Sequence, residues 1–169
     1  MGDIASLVER FAGSGQRVFE HAMRGAREGG RNYITSAHLV VALAAEESRR
    51  FAVLMRALRV DANRVQQLIA ERLEDGPQHP GRGLRLAPEM VSVLKAAGRV
   101  AHAHGQSRIG SADLMIALAE DEGGVFVEVL KSLEADVGAA GEDARALYGC
   151  LLVLSRSLSR GELFRTPRA

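Results

Sequence analysis

Apolar residues recur along this chain at helical spacing, and they do so twice. Val18, Phe19, Ala22, Met23 and Ala26 fall at i, i+1, i+4, i+5 and i+8, one stripe of a helix with 3.6 residues per turn. Val93, Leu94, Ala97 and Ala101 draw the same stripe again. Gly29-Gly30 and Gly105 follow, where a left-handed helix-terminating residue is wanted. Residues 39–45 and 114–119 are apolar almost all round, which predicts a buried central helix in each half. Ser36 and Ser111 open those helices, and their hydroxyls are expected to accept from first-turn amides. A third helix is drawn by Phe51, Leu54, Met55 and Leu58, and again by Phe126, Val129, Leu130 and Leu133. Asp61 is expected to cap a fourth that faces Val65, Leu68, Ile69 and Leu73 inward. The last amphipathic stretch, 141–159, places Ala144, Leu147, Tyr148, Leu151, Leu152, Ser155 and Leu158 on one face. No segment alternates as a strand does, so the expected fold class is all-α.

The two sets of stripes are one unit repeated. Sliding residues 18–61 forward by 75 lands them on 93–136 without a gap, and Ile34, Ser36, Ala37, Leu39, Ala42, Leu43 and Ala44 fall on Ile109, Ser111, Ala112, Leu114, Ala117, Leu118 and Ala119. Repetition at this period means copies of one helical module packed together. The expected organisation is repeat one over 11–74, a Pro- and Gly-rich linker over 75–87, repeat two over 88–148, and the end of an extended C-terminal helix with a basic tail over 149–169. Pro88 suits the first position of the second copy's opening helix. Together these predict two pseudo-symmetric four-helix repeats in one domain, with an extra N-terminal segment.

Composition removes several function classes. Across 169 residues, 22 basic side chains nearly balance 21 acidic ones and Trp is absent, which argues against a nucleic-acid binder. No run of about 18 apolar residues exists to span a membrane, and a cytoplasmic location is expected. The single cysteine, Cys150, lies in an apolar run and reads as a buried inert thiol. There is no G-x-x-x-x-G-K-[ST] phosphate loop, and no Ser, Cys or His has a base at useful spacing, so neither catalysis nor a cofactor is expected. His102 and His104 fall on different helix faces, which disfavours a metal site. The clusters Glu46-Glu47 and Glu120-Asp121-Glu122 are equivalent and read as solvated, with recognition of a basic peptide as their functional alternative.

The repeat resembles the Clp N-terminal domain, the doubled helical module at the front of Clp ATPases and of some small stand-alone proteins. Members read N-Y-I-G-T-E-H-L-L-L-G-L where this chain has Asn32-Tyr33-Ile34-Thr35-Ser36-Ala37-His38-Leu39-Val40-Val41-Ala42-Leu43. The resemblance implies a non-enzymatic module that binds protein substrates or adaptors, a Clp ATPase among its partners, in protein unfolding or degradation. It implies binding near the starts of the central helices, at Ser36, Ala37, His38 and Glu47 and at Ser111, Ala112, Asp113 and Glu122. His38 corresponds to a structural histidine of the family. In some members the motif Glu helps recognise phosphorylated arginine. Ala37 and Ala112 stand at that place here and Asp113 replaces the second His, so the bidentate acceptor for a guanidinium is missing at both sites. The alternative is a self-associating structural or regulatory protein that keeps this fold, with a homodimer contact through Leu154 and Leu158 or a fold-back of that helix onto Ile4, Leu7, Val8 and Phe11.

Overall fold

The computed structural model describes residues 4–74, 83–136, 138 and 141–146. Cys150 and the apolar positions from Leu147 to Leu158 lie outside these, as do the expected fold-back and dimer contacts they would make. In chain order the elements are α1 (Ile4–Val8), α2 (Gly13–Glu28), β1 (Tyr33–Ile34), α3 (Ser36–Glu46), α4 (Ser48–Ala57), α5 (Ala62–Glu74), β2 (Arg85–Leu86), α6 (Pro88–Ala103), α7 (Ser111–Glu120) and α8 (Val125–Ser132). Residues 141–146 are again helical, with Ala144 fully buried. No helix among the described residues is long and apolar enough to cross a membrane.

The two copies repeat down to single hydrogen bonds. Helix α2 ends at Gly30 with φ +65°, and α6 at Gly105 with φ +70°, the left-handed backbone that glycine adopts without strain. The chain then turns back through Arg31 N–H to Ala26 C=O at 2.8 Å and through Gln106 N–H to Ala101 C=O at 2.9 Å. Arg59 and Glu134, also 75 apart, share the other positive φ values of 57° and 59°. Asp61 caps α5 as its position predicts, its Oδ1 accepting from Arg64 N–H at 3.0 Å.

Two short parallel pairings tie each copy to the other. Tyr33 and Ile34 pair with Arg85 and Leu86, and Phe11 pairs with Ile109. These are the same contact seen from the two sides of a pseudo-twofold axis, since Ile34 corresponds to Ile109 and Leu86 to Phe11. The closing bonds match as well, Ala87 N–H to Ile34 C=O at 3.0 Å and Ala12 N–H to Ile109 C=O at 2.8 Å. At two residues each, the strands are too short to show alternation, which is why the sequence reads as helical throughout. Strand β2 falls inside the stretch read as linker, so its last residues belong to the packed domain.

The central helices form the core. Leu39, Val40, Ala42 and Leu43 of α3 and Leu114, Met115, Ile116 and Leu118 of α7 are at most 2% exposed. Helix α3 packs on α2 and α5 in its own copy and on α7 and α8 across the axis. Phe51 and Phe126, equivalent residues, meet there with ring centroids 6.4 Å apart. At roughly 1.5–3 kcal/mol for each fully buried large apolar side chain, this shared centre rather than either copy alone holds the domain together.

Candidate functional site

Pseudo-symmetry places one potential site at the start of each central helix, and the structure opens only one of them. The first residues of a helix carry amides with no intrahelical acceptor, together with the positive end of its dipole. Thr35 and Gly110, not Ser36 and Ser111, occupy the N-cap positions, so both serines sit one place inside their helices. Their expected capping role is therefore corrected. The first turns are fixed instead from the third helical residue. Thr35 N–H donates to His38 Nδ1 at 3.1 Å, and Gly110 N–H donates to Asp113 Oδ2 at 2.8 Å.

Burial shifts the pKa values of these two side chains in opposite directions. His38 is 6% exposed, and burial, reinforced by the Arg31 guanidinium, holds its imidazole below the ordinary value. It is neutral, with Nδ1 as the acceptor and Thr35 Oγ1 2.8 Å away. Asp113 is fully buried, and burial raises its carboxyl above the ordinary value, opposed by the Gly110 amide and by His104. Its Oδ1 has no hydrogen-bond partner among the described residues. The structural role expected of His38 holds for its counterpart Asp113 as well.

The start of α7 is sealed. Ser111 N–H donates to Ser14 Oγ at 3.2 Å, and Ser111 Oγ–H donates to Glu47 Oε1 at 2.8 Å. Helix α2 comes close enough to do this because residue 15 is glycine: a Cβ there would lie 2.2 Å from the Ile109 carbonyl oxygen. Ser111, Ala112 and Asp113 are consequently no more than 2% exposed. Glu47 also pairs with Arg50 at 3.7 Å, so it serves the seal and is not the solvated carboxylate of the sequence reading. Glu46 and Glu120 stay exposed, as the solvated reading expects, and form surface pairs, Glu46 with His21 Nδ1 at 2.8 Å and Glu120 with Arg145.

The start of α3 opens instead onto a cleft of about 640 Å³ between the copies. Its wall from copy one includes Arg31, Tyr33, Ser36, Ala37 and His38, and its wall from copy two includes Pro88, Glu89, Asp121, Gly123 and Gly124. The residues that differ at the 75-residue offset account for the opening. Met90, fully buried, stands where Gly15 allows the close approach in copy two, and Glu89 replaces Ser14. Gly123 and Gly124 replace Ser48 and Arg49, leaving that part of the wall without side chains. A Cβ on Gly123 would meet nothing within 4 Å, whereas one on Gly124 would strike Asp121. Glu122, grouped by the sequence with Ser111, Ala112 and Asp113, is exposed and is not part of this cleft's wall.

Arg31 gives the cleft its most unusual polar group. Its Nη2 donates to the Leu73 and Glu74 carbonyls at the end of α5, where a cation suits the helix dipole. Its Nη1 is buried with no acceptor among the described residues. The rest of the lining is mainly apolar, with Tyr33 43% exposed at the margin. A cleft of this size with a few fixed donors and an exposed aromatic side chain suits a peptide segment that brings an acceptor oxygen. Among the described residues no group of three or more His, Cys, Asp or Glu side chains is placed to hold a metal.

Of the residues the sequence proposes, Ser36, Ala37 and His38 line the cleft. The sequence reading misses Arg31, Glu89, Asp121 and Gly123, although the mismatches Ser14/Glu89, Gly15/Met90 and Ser48/Gly123 at the repeat offset are the signal that separates an open site from a closed one.

Comparison with known proteins agrees with this architecture. The Hsp104 N-terminal domain from Candida albicans superposes with a TM-score of 0.72 at 17% identity, covering 82% of this chain and 91% of that one. The N-terminal domain of the ClpV1 ATPase from the E. coli EAEC Sci1 T6SS gives 0.66 at 23% identity, covering 85% and 88%. The chaperone protein ClpB of Oceanobacillus iheyensis is 23% identical over 140 residues, 83% of this chain and 17% of that protein, so this chain spans less than a fifth of that relative's length. The model of the Clp repeat (R) N-terminal domain matches residues 10–141, most of the sequence, and the chain belongs to that family.

Proposed function

We propose that this chain is a non-enzymatic binding module that takes a segment of a protein substrate or adaptor into the cleft at the start of α3, in the service of protein unfolding or degradation. The observation that carries this reading is the asymmetry between two equivalent sites: one central helix start is sealed by Ser14, Gly15 and Glu47, and the other opens onto about 640 Å³. The amides of Ser36 and Ala37, which as first-turn groups have no intrahelical acceptor, and Arg31 Nη1, unpartnered among the described residues, supply donors for a backbone carbonyl or a carboxylate. Tyr33 and the apolar lining supply contact area. Thr35 Oγ1 lies 2.8 Å from His38 Nδ1, but that nitrogen also accepts from Thr35 N–H and fixes the helix start, so we read the bound segment as held rather than cut. Membership of the Clp repeat family supports a Clp-type ATPase as the machine this module serves, whether on the same polypeptide or by association.

The test uses a permanently unfolded probe, reduced and carboxymethylated lactalbumin carrying a fluorophore. Anisotropy titration is expected to show binding that Gly123→Trp, which fills the cleft from a position with free space around it, weakens at least about tenfold. Gly25→Ala, with no neighbour near the new methyl group, is expected to leave it unchanged. Equal affinity of wild type and Gly123→Trp, with both folded by circular dichroism, overturns the cleft as the binding site.

A further inference from the structure

The third helices of the two copies present surfaces of opposite charge, a difference that the nearly neutral composition conceals. On α4, Arg49, Ala52, Val53 and Arg56 are exposed at i, i+3, i+4 and i+7, which is one helix face, and Arg59 is exposed just past the helix end. No acidic residue lies between Ser48 and Val60. The flanking acids are engaged elsewhere, Glu47 with Ser111 and Arg50 and Asp61 with the Arg64 amide. Arg49, Arg56 and Arg59 form no ion pair among the described residues. Between them stands Val53 at 50% exposure, one of two exposed large apolar side chains among the described residues, the other being Tyr33 at the cleft.

The pseudo-equivalent surface is built the other way. At the 75-residue offset Gly124, Val127, Glu128, Lys131 and Glu134 take the places of Arg49, Ala52, Val53, Arg56 and Arg59. There the apolar position is covered, with Val127 2% exposed, and Glu128 pairs with Arg72 of α5. Residues 120–146 carry eight acidic side chains against Lys131 and Arg145. Of these acids Glu122, Glu134, Asp136 and Glu142 are exposed, and Glu142 follows Gly141, whose Cβ would touch Glu120 at the end of α7. Arg59 and Glu134 sharpen the contrast. Both take the left-handed backbone, at φ 57° and 59°, where glycine is unstrained and other residues are not. Each copy nevertheless keeps a long charged side chain at this position, and the two have opposite sign.

We propose that α4 of one chain docks on the α8 surface of a second copy in a head-to-tail contact. Arg49, Arg56 and Arg59 meet Glu122, Glu134, Asp136 and Glu142, and Ala52 and Val53 lie at the centre. The two surfaces are different places on one chain, so each copy can engage two neighbours, and the contact builds a ring or an open row instead of stopping at a pair. Charge selects this occupant over the chain's own C-terminal segment. Residues 149–169 carry Arg156, Arg160, Arg165 and Arg168 against Glu162, the same sign as the α4 face. A net charge of +1 leaves no long-range repulsion between copies. One helix face makes a small contact, which belongs with the transient interfaces. None of these residues lines the cleft, and the proposal stands whether or not the cleft binds substrate.

Static light scattering on the full chain tests this. In about 50 mM salt the weight-average mass is expected to be at least about 1.5-fold higher at about 0.5 mM chain than at about 10 μM, and the rise should vanish in about 500 mM salt. Arg49→Glu with Arg56→Glu, and separately Glu134→Lys with Glu142→Lys, are each expected to abolish the rise. An equimolar mixture of the two variants is expected to restore it, because each supplies the surface that the other lacks. Arg59→Gly relieves the left-handed backbone, so it should leave Tm no lower while weakening the association. Circular dichroism on each variant verifies the fold. The proposal is overturned by a wild-type chain that stays monomeric at about 0.5 mM in low salt, or by association that either pair of reversals leaves intact. A mixture of the two variants that stays monomeric also overturns it, as does a salt-insensitive dimer, which would place the contact on an apolar surface such as the C-terminal segment.

Discussion

Gly15 is the residue on which the seal over α7 turns, and its replacement by Ala gives a signed, graded prediction. The new Cβ would lie 2.2 Å from the Ile109 carbonyl oxygen, 3.1 Å from its carbon and 3.2 Å from Phe11 Cδ1, so backbone must retreat by about 1 Å. That retreat stretches the bonds that hold the pairing, Ala12 N–H to Ile109 C=O at 2.8 Å and Ile109 N–H to Arg10 C=O at 2.9 Å. Overpacking of this kind costs about 1–3 kcal/mol, and each weakened bond up to about 0.5–1.5 kcal/mol. The gain in helix propensity from Gly to Ala returns about 0.5–1 kcal/mol. The net expectation is a loss of about 2–3 kcal/mol, which in a chain of this size lowers Tm by about 5–10 °C. Gly25→Ala makes the same chemical change in the same helix with no atom within 4 Å of the Cβ, and is expected to stabilise by about 0.5–1 kcal/mol. Guanidinium titration of both variants, with the m-value checked for constancy, measures the difference. Hydrogen exchange should also quicken at Ser111 in Gly15→Ala, because the Ser14 contact loosens with the pairing. A Gly15→Ala protein as stable as wild type would refute the close approach and with it the explanation of the seal.

Other expectations follow from burial and charge. Leu43→Ala and Leu118→Ala, at 0% and 2% exposure in the central helices, should each cost about 2–5 kcal/mol, and a near-neutral denaturation midpoint for either would contradict the shared core. The folded pKa of His38 is depressed, so the unfolded chain takes up a proton that the folded one resists as pH falls through 6.5. Stability should therefore decline toward pH 5, and His38→Gln, which keeps an acceptor for the Thr35 amide, should flatten that decline; parallel pH profiles would rule the assignment out. Ala37→Glu should raise the affinity for a phosphoarginine-bearing peptide from a weak wild-type value in calorimetry, since residue 37 lines the open cleft. Ala112→Glu buries a carboxylate at a sealed position, so it should destabilise the protein instead, and equal gains in affinity from both variants would deny the asymmetry.

Much of the fold is legible in the sequence because it rests on periodic burial. The stripes of α2 and α6, the glycines that end them, Asp61 as a cap and Pro88 as a first helical residue all depend on neighbours within a few positions, which a linear reading can see. The parallel pairings of Tyr33-Ile34 with Arg85-Leu86 and of Phe11 with Ile109 are not legible, because each joins segments roughly fifty to a hundred residues apart through only one or two positions. The site was half legible for the same reason. A motif marks Ser36 and Ala37 at one helix start and Ser111 and Ala112 at the other as equals, while the difference between them lies in what the other copy brings against each. Ser14 and Gly15 close one and Met90, Glu89 and Gly123 leave the other open, and no local pattern announces that Gly15 permits an approach that Met90 forbids. The Glu47 carboxylate reads as solvated for an equivalent reason: its partner, Ser111, comes from another helix.

The account's central claim is that two equivalent helix starts have been made unequal, one to bind and one to hold the copies together. Residue-resolved amide hydrogen exchange on the free chain and on its complex with carboxymethylated lactalbumin tests this directly. In the free chain, Ser36 and Ala37 should exchange faster than Ser111 and Ala112, and binding should slow Ser36 and Ala37 while leaving the other pair unchanged. Equal protection of the two pairs in the free chain, or protection on binding that appears at Ser111 and Ala112 and not at Ser36 and Ala37, would contradict it.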